Sequence, residues 1–361
     1  MSTSPTDLST HRERWGATVP VVVALHVVGI GGLAATLAAD GGTGAITVAM
    51  GLAAYALGLR HAFDADHIAT IDNTTRRLVR ADRDARGVGL WFSLGHSTVV
   101  LGAALLLALG VHALAPMLGD ESSRLRRATG VWGPLVSGTF LLAIAAVNIA
   151  MLRRALRGRA GAAPGSADPE GHTHHAGGPV TWLLRRFEWS TDRPARMYVV
   201  GLVFGLGFDT ATEIGLLAIT ASAAVGQVAW YSALPLAVLF AAGMSLLDSA
   251  QGAVARRVYT HAGSGRATAD GSMAGTVKVG ETGTRMRYDV VVTGISALAA
   301  LGIGLVTLVQ VAVEHAPWLG WVPGASVSLE PYGVVLTVVL LLAWGAGAYL
   351  TSPRRNRRPT A

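Results

Sequence analysis

Cysteine is absent from the 361 residues, so neither disulfides nor thiolate metal sites are available. Any metal must be held by His, Asp, Glu, hydroxyls or backbone carbonyls. Charge is scarce as well. Only 14% of residues are charged, where a soluble domain carries about 25%. No glycine-rich phosphate loop of the Walker type is present, which argues against a built-in ATPase. What is abundant is apolar surface: 51% of residues are hydrophobic and the mean hydropathy is +0.46. These features describe an all-α polytopic membrane protein, read as one transmembrane domain over residues 1–361.

About eight apolar runs are long enough to cross a bilayer: 17–39, 44–72, 90–114, 131–152, 197–222, 228–250, 289–313 and 332–351. The first has a longer flank and a longer core than a cleaved signal peptide, so it is read as a span. The formal charge of +7 resembles a nucleic-acid signal until it is mapped onto the loops. Of the 29 Lys and Arg residues, 25 fall on one side of the membrane and three on the other (Arg124, Arg126, Arg127), with Arg60 inside the second run. That bias predicts both termini in the cytoplasm. The counter-charge is then anionic lipid of the inner membrane surface, not nucleic acid. Two long cytoplasmic loops follow, 153–196 and 259–287. Both are rich in Gly, Ala and polar residues and read as structureless linkers. The first carries His172, His174 and His175, either a metal-capturing tract or incidental histidines of a solvated linker.

Ionisable residues inside the runs are expensive, about 2.5–3.5 kcal/mol each at the bilayer centre on insertion scales. They gather in four runs. The second has His61, Asp64, Asp66, His67 and Asp72; the third has His96; the fifth has Asp209 and Glu213; the sixth has Asp248. The fourth adds Asn148, and the first has only His26, which reads as a packing or hydrogen-bonding residue. The carboxylates outnumber the single in-span arginine, so a bound cation or protons are needed to balance them.

Helical geometry constrains the arrangement. At about 100° per residue, His61, Asp64 and His67 form one stripe while Asp66 points about 140° away from His61. His61 and His67 would also stand about 9 Å apart along a straight axis. Either two subsites share Asp64, or the helix unwinds, as helices do at transporter ion sites. The segment from Gly44 to Thr75 is too long for one straight span, which favours a break near Gly58 to Asp66. Imidazole with carboxylate, without sulfur, suits first-row divalent metals toward the nickel-to-zinc end. Magnesium and calcium would use oxygen ligands alone.

The motifs then converge. "RHAFDADHI" carries a His-x4-Asp-His pattern at His61, Asp66 and His67, and "LGHSTVV", "LGFDTATEI" and "LFAAGMSLLDS" follow in order. Together they resemble the nickel/cobalt transporter family of secondary permeases. The last motif ends Asp-Ser where Asp-Thr is common in that family. The resemblance implies high-affinity, low-capacity uptake of Ni²⁺ or Co²⁺ across the cytoplasmic membrane, with the ion as cargo and no permanently bound cofactor. It points first to His61, Asp64, Asp66 and His67. The in-span His96, Asp209, Glu213 and Asp248 complete the candidate set.

Two further expectations follow. "GFDTATEIG" loosely echoes "AFDADHIAT", and "AGMSLLDS" echoes "LGHSTVVLG", which suggests that spans 2–4 and 5–7 are inverted repeats. Spans 2, 3, 5 and 6 would then meet around one cavity. The alternatives are a related divalent-metal exporter, which the histidine-bearing loop would suit, and a membrane-embedded metalloenzyme. The latter lacks an evident nucleophile or general base beyond the ligands themselves. The spacing does not choose between nickel and cobalt, and nothing in it prescribes an oligomeric state.

Overall fold

The computed structural model describes residues 17–39, 46–109, 123–160, 191–207, 216, 234–263 and 279–351 apart from 325 and 328. Among these residues the fold is all helical. We number the helices α1 (Thr18–Ala39), α2 (Val48–His61), α3 (Ala65–Arg80), α4 (Val88–Ala108), α5 (Arg124–Ala160), α6 (Met197–Gly205), α7 (Leu234–Gly263), α8 (Val279–His315) and α9 (Glu330–Thr351). Among the described residues, five segments are long and apolar enough to cross a membrane: α1, Val88–Leu106, Gly130–Ala150, Leu234–Thr260 and Thr293–His315; Pro194–Gly205 and Tyr332–Leu342 are shorter apolar helices. Val23, Val27, Val28 and Ile30 of α1 and Val334, Val335, Leu341 and Leu342 of α9 are exposed, as a lipid-facing surface requires.

The second apolar run is broken. Thr47 caps α2, its hydroxyl accepting from the Met50 N–H. The helix tightens at its far end, where the Phe63 N–H donates to the Arg60 carbonyl and the Asp64 N–H to the His61 carbonyl. Asp64 then turns extended (φ −63°, ψ 138°) and α3 begins at Ala65. The unwinding falls within the stretch that the ligand geometry singled out. Gly333 of α9 packs on the break so closely that a Cβ there would lie 1.7 Å from the Phe63 carbonyl oxygen.

Helix α3 is polar, yet Ala65 and every residue from His67 to Arg76 are buried, Asp66 between them being only partly so. It runs inside the bundle, against α4, α5, α7, α8 and α9. This corrects one part of the charge map: Arg76 is no loop residue, being 1% exposed. Arg77 donates to Thr191 and Arg80 to Thr293. With Arg76 removed the charge bias stands at 24 to three and still has the same sign. The linkers are also shorter than composition suggested, because α5 runs to Ala160, α7 to Gly263, and α8 starts at Val279. His172, His174 and His175 lie outside the described residues.

Helix pairing bears on the proposed duplication. Span 2 (α2) packs on span 6 (α7), span 3 (α4) on span 5 (α6), span 3 on span 6, and span 4 (α5) on span 7 (α8). Exchanging 2 with 5, 3 with 6 and 4 with 7 maps this set onto itself. Small residues make both diagonal contacts. A Cβ on Gly58 or Gly243 would strike the backbone of α7 or α2, and one on Gly95 or Gly201 would strike that of α6 or α4. Gly95 and Gly243 occupy matching places in the two echoed motifs.

Candidate metal site

The break in span 2 brings its two histidines together. The His61 and His67 rings lie 4.6 Å apart between centroids, not at the separation of a straight helix. His96 of α4 joins them, at 4.7 Å from His61 and 5.0 Å from His67. One nitrogen from each of the three rings falls within 4.8 Å of the others. All three are buried, at 1%, 2% and 3% exposure. The shortest approach is between His61 Nε2 and His96 Nε2, at 3.0 Å. Phe240 of α7 packs beside His61 and Phe92 of α4 stands edge-on to His67, so the trio has apolar walls.

Carboxylates stand behind the imidazoles. Asp64 occupies the N-cap position of α3, where an aspartate usually accepts a backbone N–H. It makes no such bond. Its Oδ2 lies instead 2.9 Å from His61 Nδ1. A proton on Nδ1 directed at Asp64 leaves the Nε2 lone pair facing the trio, the arrangement in which a carboxylate orients a metal-binding histidine. Asp248 of α7 is fully buried, with Oδ2 3.6 Å from His67 Nδ1. Neither of its oxygens nor His67 Nδ1 has a hydrogen-bond partner. A buried carboxylate left so calls for a cation. Asp66 plays a different part: its Oδ1 accepts the His67 N–H at 2.9 Å within the first turn of α3. Acids in a first turn offset the positive end of a helix, here the end that faces the cluster.

The sequence candidates thus separate. His61, His67 and His96 converge, Asp64 and Asp248 back them, and Asp66 adjoins His67 through the backbone. Asp209 and Glu213 lie outside the described residues. Span 5 does reach the neighbourhood: a Cβ on Gly205 of α6 would lie 2.8 Å from the His96 carbonyl oxygen. His26 accords with its packing role, bonding to the Val22 carbonyl and the Tyr55 hydroxyl.

Some residues of this region escaped the reading of the sequence. Phe92 and Phe240 look like any core aromatic in an apolar run. Ser93 Oγ donates to Ser245 Oγ at 3.0 Å, joining α4 to α7 beneath the site. A buried network also surrounds the lower part of α3, where Asp72 and Asn148 were singled out in the sequence and Asn73, Arg76 and Tyr259 were not. Arg76 donates to Asp72 at 3.3 Å and to Asn73 Oδ1 at 2.7 Å, Asn148 of α5 donates to the same Asn73 oxygen at 2.6 Å, and Tyr259 of α7 donates to Asp72 at 2.5 Å. The i,i+4 spacing of Asp72 and Arg76 was the available signal.

The chain is also similar to known proteins. Residues 47–350 match the family model NicO, described as high-affinity nickel-transport protein. The chain is 39% identical over 342 residues to the nickel transporter NicT of Mycobacterium tuberculosis, covering 92% of this chain and 87% of that protein. It is 34% identical over 361 residues to the cobalt transport protein NhlF of Rhodococcus rhodochrous, covering 96% and 95%. Against the high-affinity nickel-transport protein NixA of Helicobacter pylori strain 26695 it is 37% identical over 267 residues, covering 72% and 74%. No solved structure matches. A match over nearly the whole chain places it in the NicO family of high-affinity nickel-transport proteins, a family of transporters and not of enzymes.

Proposed function

We propose that the chain imports Ni²⁺ or Co²⁺ across the cytoplasmic membrane, and that His61, His67 and His96 bind the ion on its way. The observation that carries this reading is the convergence of three buried imidazoles from α2, α3 and α4 beside the unpartnered Asp248 carboxylate. The His61–His96 spacing of 3.0 Å is close to the separation of two neighbouring ligands on one ion. Two nitrogens each about 2.0–2.1 Å from a metal at a right angle stand about 2.9 Å apart. One shared ion therefore fits better than two subsites divided by Asp64. Neutral imidazole with carboxylate suits the nickel-to-zinc end of the first row.

In this reading both termini are cytoplasmic, the orientation the loop charges favour. The ion enters from outside, exchanges part of its water shell for the imidazoles, and leaves inward along α3. The membrane potential favours inward movement by about 2.3 kcal/mol per charge per 100 mV. Protons oppose loading, because a histidine must be neutral to bind.

The test is accumulation of radiolabelled Ni²⁺ and Co²⁺ in cells expressing the chain, beside His67→Ala and empty cells. Import predicts accumulation above empty cells that His67→Ala abolishes. Unchanged accumulation would refute transport, and accumulation below empty cells would show export.

A further inference from the structure

The polar character of α3 does not end at the histidines. Thr70, Asp72, Asn73, Thr74, Thr75 and Arg76 are all buried, none more than 1% exposed. Buried polar residues in a membrane bundle mark ion pathways. Asp72 lies five residues inward of His67, about 7.5 Å along the helix. It is the centre of an oxygen-rich cluster drawn from three helices: the Asp72 carboxylate and Asn73 carbonyl of α3, the Asn148 amide of α5 and the Tyr259 hydroxyl of α7. Asn148 Oδ1 is buried and has no hydrogen-bond partner, although the same amide's nitrogen binds Asn73. Such an oxygen is an acceptor for a donor or a cation. The cation seated there now is the guanidinium of Arg76, held by Asp72 and Asn73 and stacked over the Tyr259 ring at 5.7 Å.

We propose that Asp72, Asn73 and Asn148 form a second, inner station for the transported ion, and that Arg76 is its tethered place-holder. The inference rests on the import reading and extends it. A divalent ion and a guanidinium repel each other strongly in a weakly polar interior, so the two occupy the station by turns. When no ion is passing, Arg76 neutralises Asp72 and blocks the inner path to other cations. When the ion descends from the histidines, Arg76 swings toward the cytoplasmic end of α3, one turn away at Arg80. The ligand types suit the inner station to release. The outer site offers imidazole nitrogen, which first-row metals prefer; the inner one offers only oxygen, which holds them less firmly. An ion moving inward thus passes from a tighter site to a looser one, a step the membrane potential must drive, and from the looser site it is released quickly.

Equilibrium binding of ⁶³Ni²⁺ to the purified full-length protein in lipid nanodiscs tests the proposal. Wild type should bind one ion per chain, because Arg76 fills the inner station. Arg76→Gln should bind two, and Asp72→Asn combined with Arg76→Gln should return to one. A single ion bound by folded Arg76→Gln, or two ions bound by the double variant, would overturn the proposal. If Arg76→Gln does not fold, the double variant still decides, since it leaves no uncompensated charge. Folded and loaded at the histidines, it should transport at least tenfold more slowly than wild type. Full transport by that variant would make the network a structural latch only and overturn the proposal. Failure of wild type to bind any ion would instead refute the import reading itself.

Discussion

A glycine far from any ligand provides a stringent test of how the histidine cluster is built. Gly333 sits on α9, carries no chemistry, and packs against the break between α2 and α3. A Cβ there would lie 1.7 Å from the Phe63 carbonyl oxygen, while ordinary contact starts at 3.4 Å, so Gly333→Ala forces the two backbones apart by up to 1.7 Å. Part of that movement must pass into residues 62–64, which set His61 and His67 against each other. Functional constellations tolerate about 0.5 Å of misplacement. We expect metal affinity to fall roughly 10–100-fold, the range seen when the support of a metal ligand is disturbed. Helix propensity alone predicts the opposite, since Ala is better than Gly by about 0.8–1 kcal/mol inside a helix. Gly345 on the same helix supplies the control, because a Cβ there meets nothing within 4 Å. The assay is ⁶³Ni²⁺ uptake at limiting metal, normalised to the amount of protein in the membrane. Gly333→Ala should be deficient and Gly345→Ala should match wild type. Equal uptake by the two variants would refute the claim that α9 holds the break in place.

Other consequences are open to similar assays. Asp248→Asn removes a buried carboxylate with no hydrogen-bond partner, so the metal-free protein should be at least as resistant to heat. Its stabilisation by added Ni²⁺ should shrink; an undiminished shift would show that Asp248 does not serve the ion. Gly58→Ala places a Cβ 2.1 Å from the Phe240 carbonyl oxygen one turn before His61, and should depress uptake without lowering protein level, measured by immunoblot beside ⁶³Ni²⁺ counts. His26→Ala breaks only the contacts with Val22 and Tyr55 and should leave the uptake affinity unchanged, whereas His96→Ala should abolish uptake. Acidifying the medium should reduce uptake at limiting metal, and raising the metal concentration should restore it, because protons and metal compete for the same nitrogens. Inhibition that high metal does not relieve would contradict competition at the histidines.

What could be read in advance was governed by the membrane. Spans, their order and the charge bias were legible because a bilayer penalises each polar group one residue at a time. The break was legible for a related reason: ligands spaced about 9 Å apart along a helix cannot share an ion, so either two subsites shared Asp64 or the backbone yielded, and the length of the run favoured the second. Arg76 was misplaced by the same logic. It followed the last apolar residue of its run and counted as a loop charge, while its burial depends on Asp72, Asn73 and Tyr259, the last of these 183 residues away. Asp64 stands three residues from its histidine and was legible as part of the same stripe; the role of Asp248 behind His67, and of Gly333 against the break, arises from packing between distant segments and leaves no local pattern. His96 was legible as a polar residue of a family-like motif on a span expected to share the cavity; its contact with His61 depends on the α2–α7 and α4–α7 packing.

The central claim is that three imidazoles share one ion. X-ray absorption at the nickel edge, on purified protein loaded with one Ni²⁺ per chain, addresses it directly. The account predicts three imidazole nitrogens at about 2.0–2.1 Å, falling to two in His96→Ala. A wild-type spectrum with one imidazole or none, or a spectrum unchanged by His96→Ala, would contradict it.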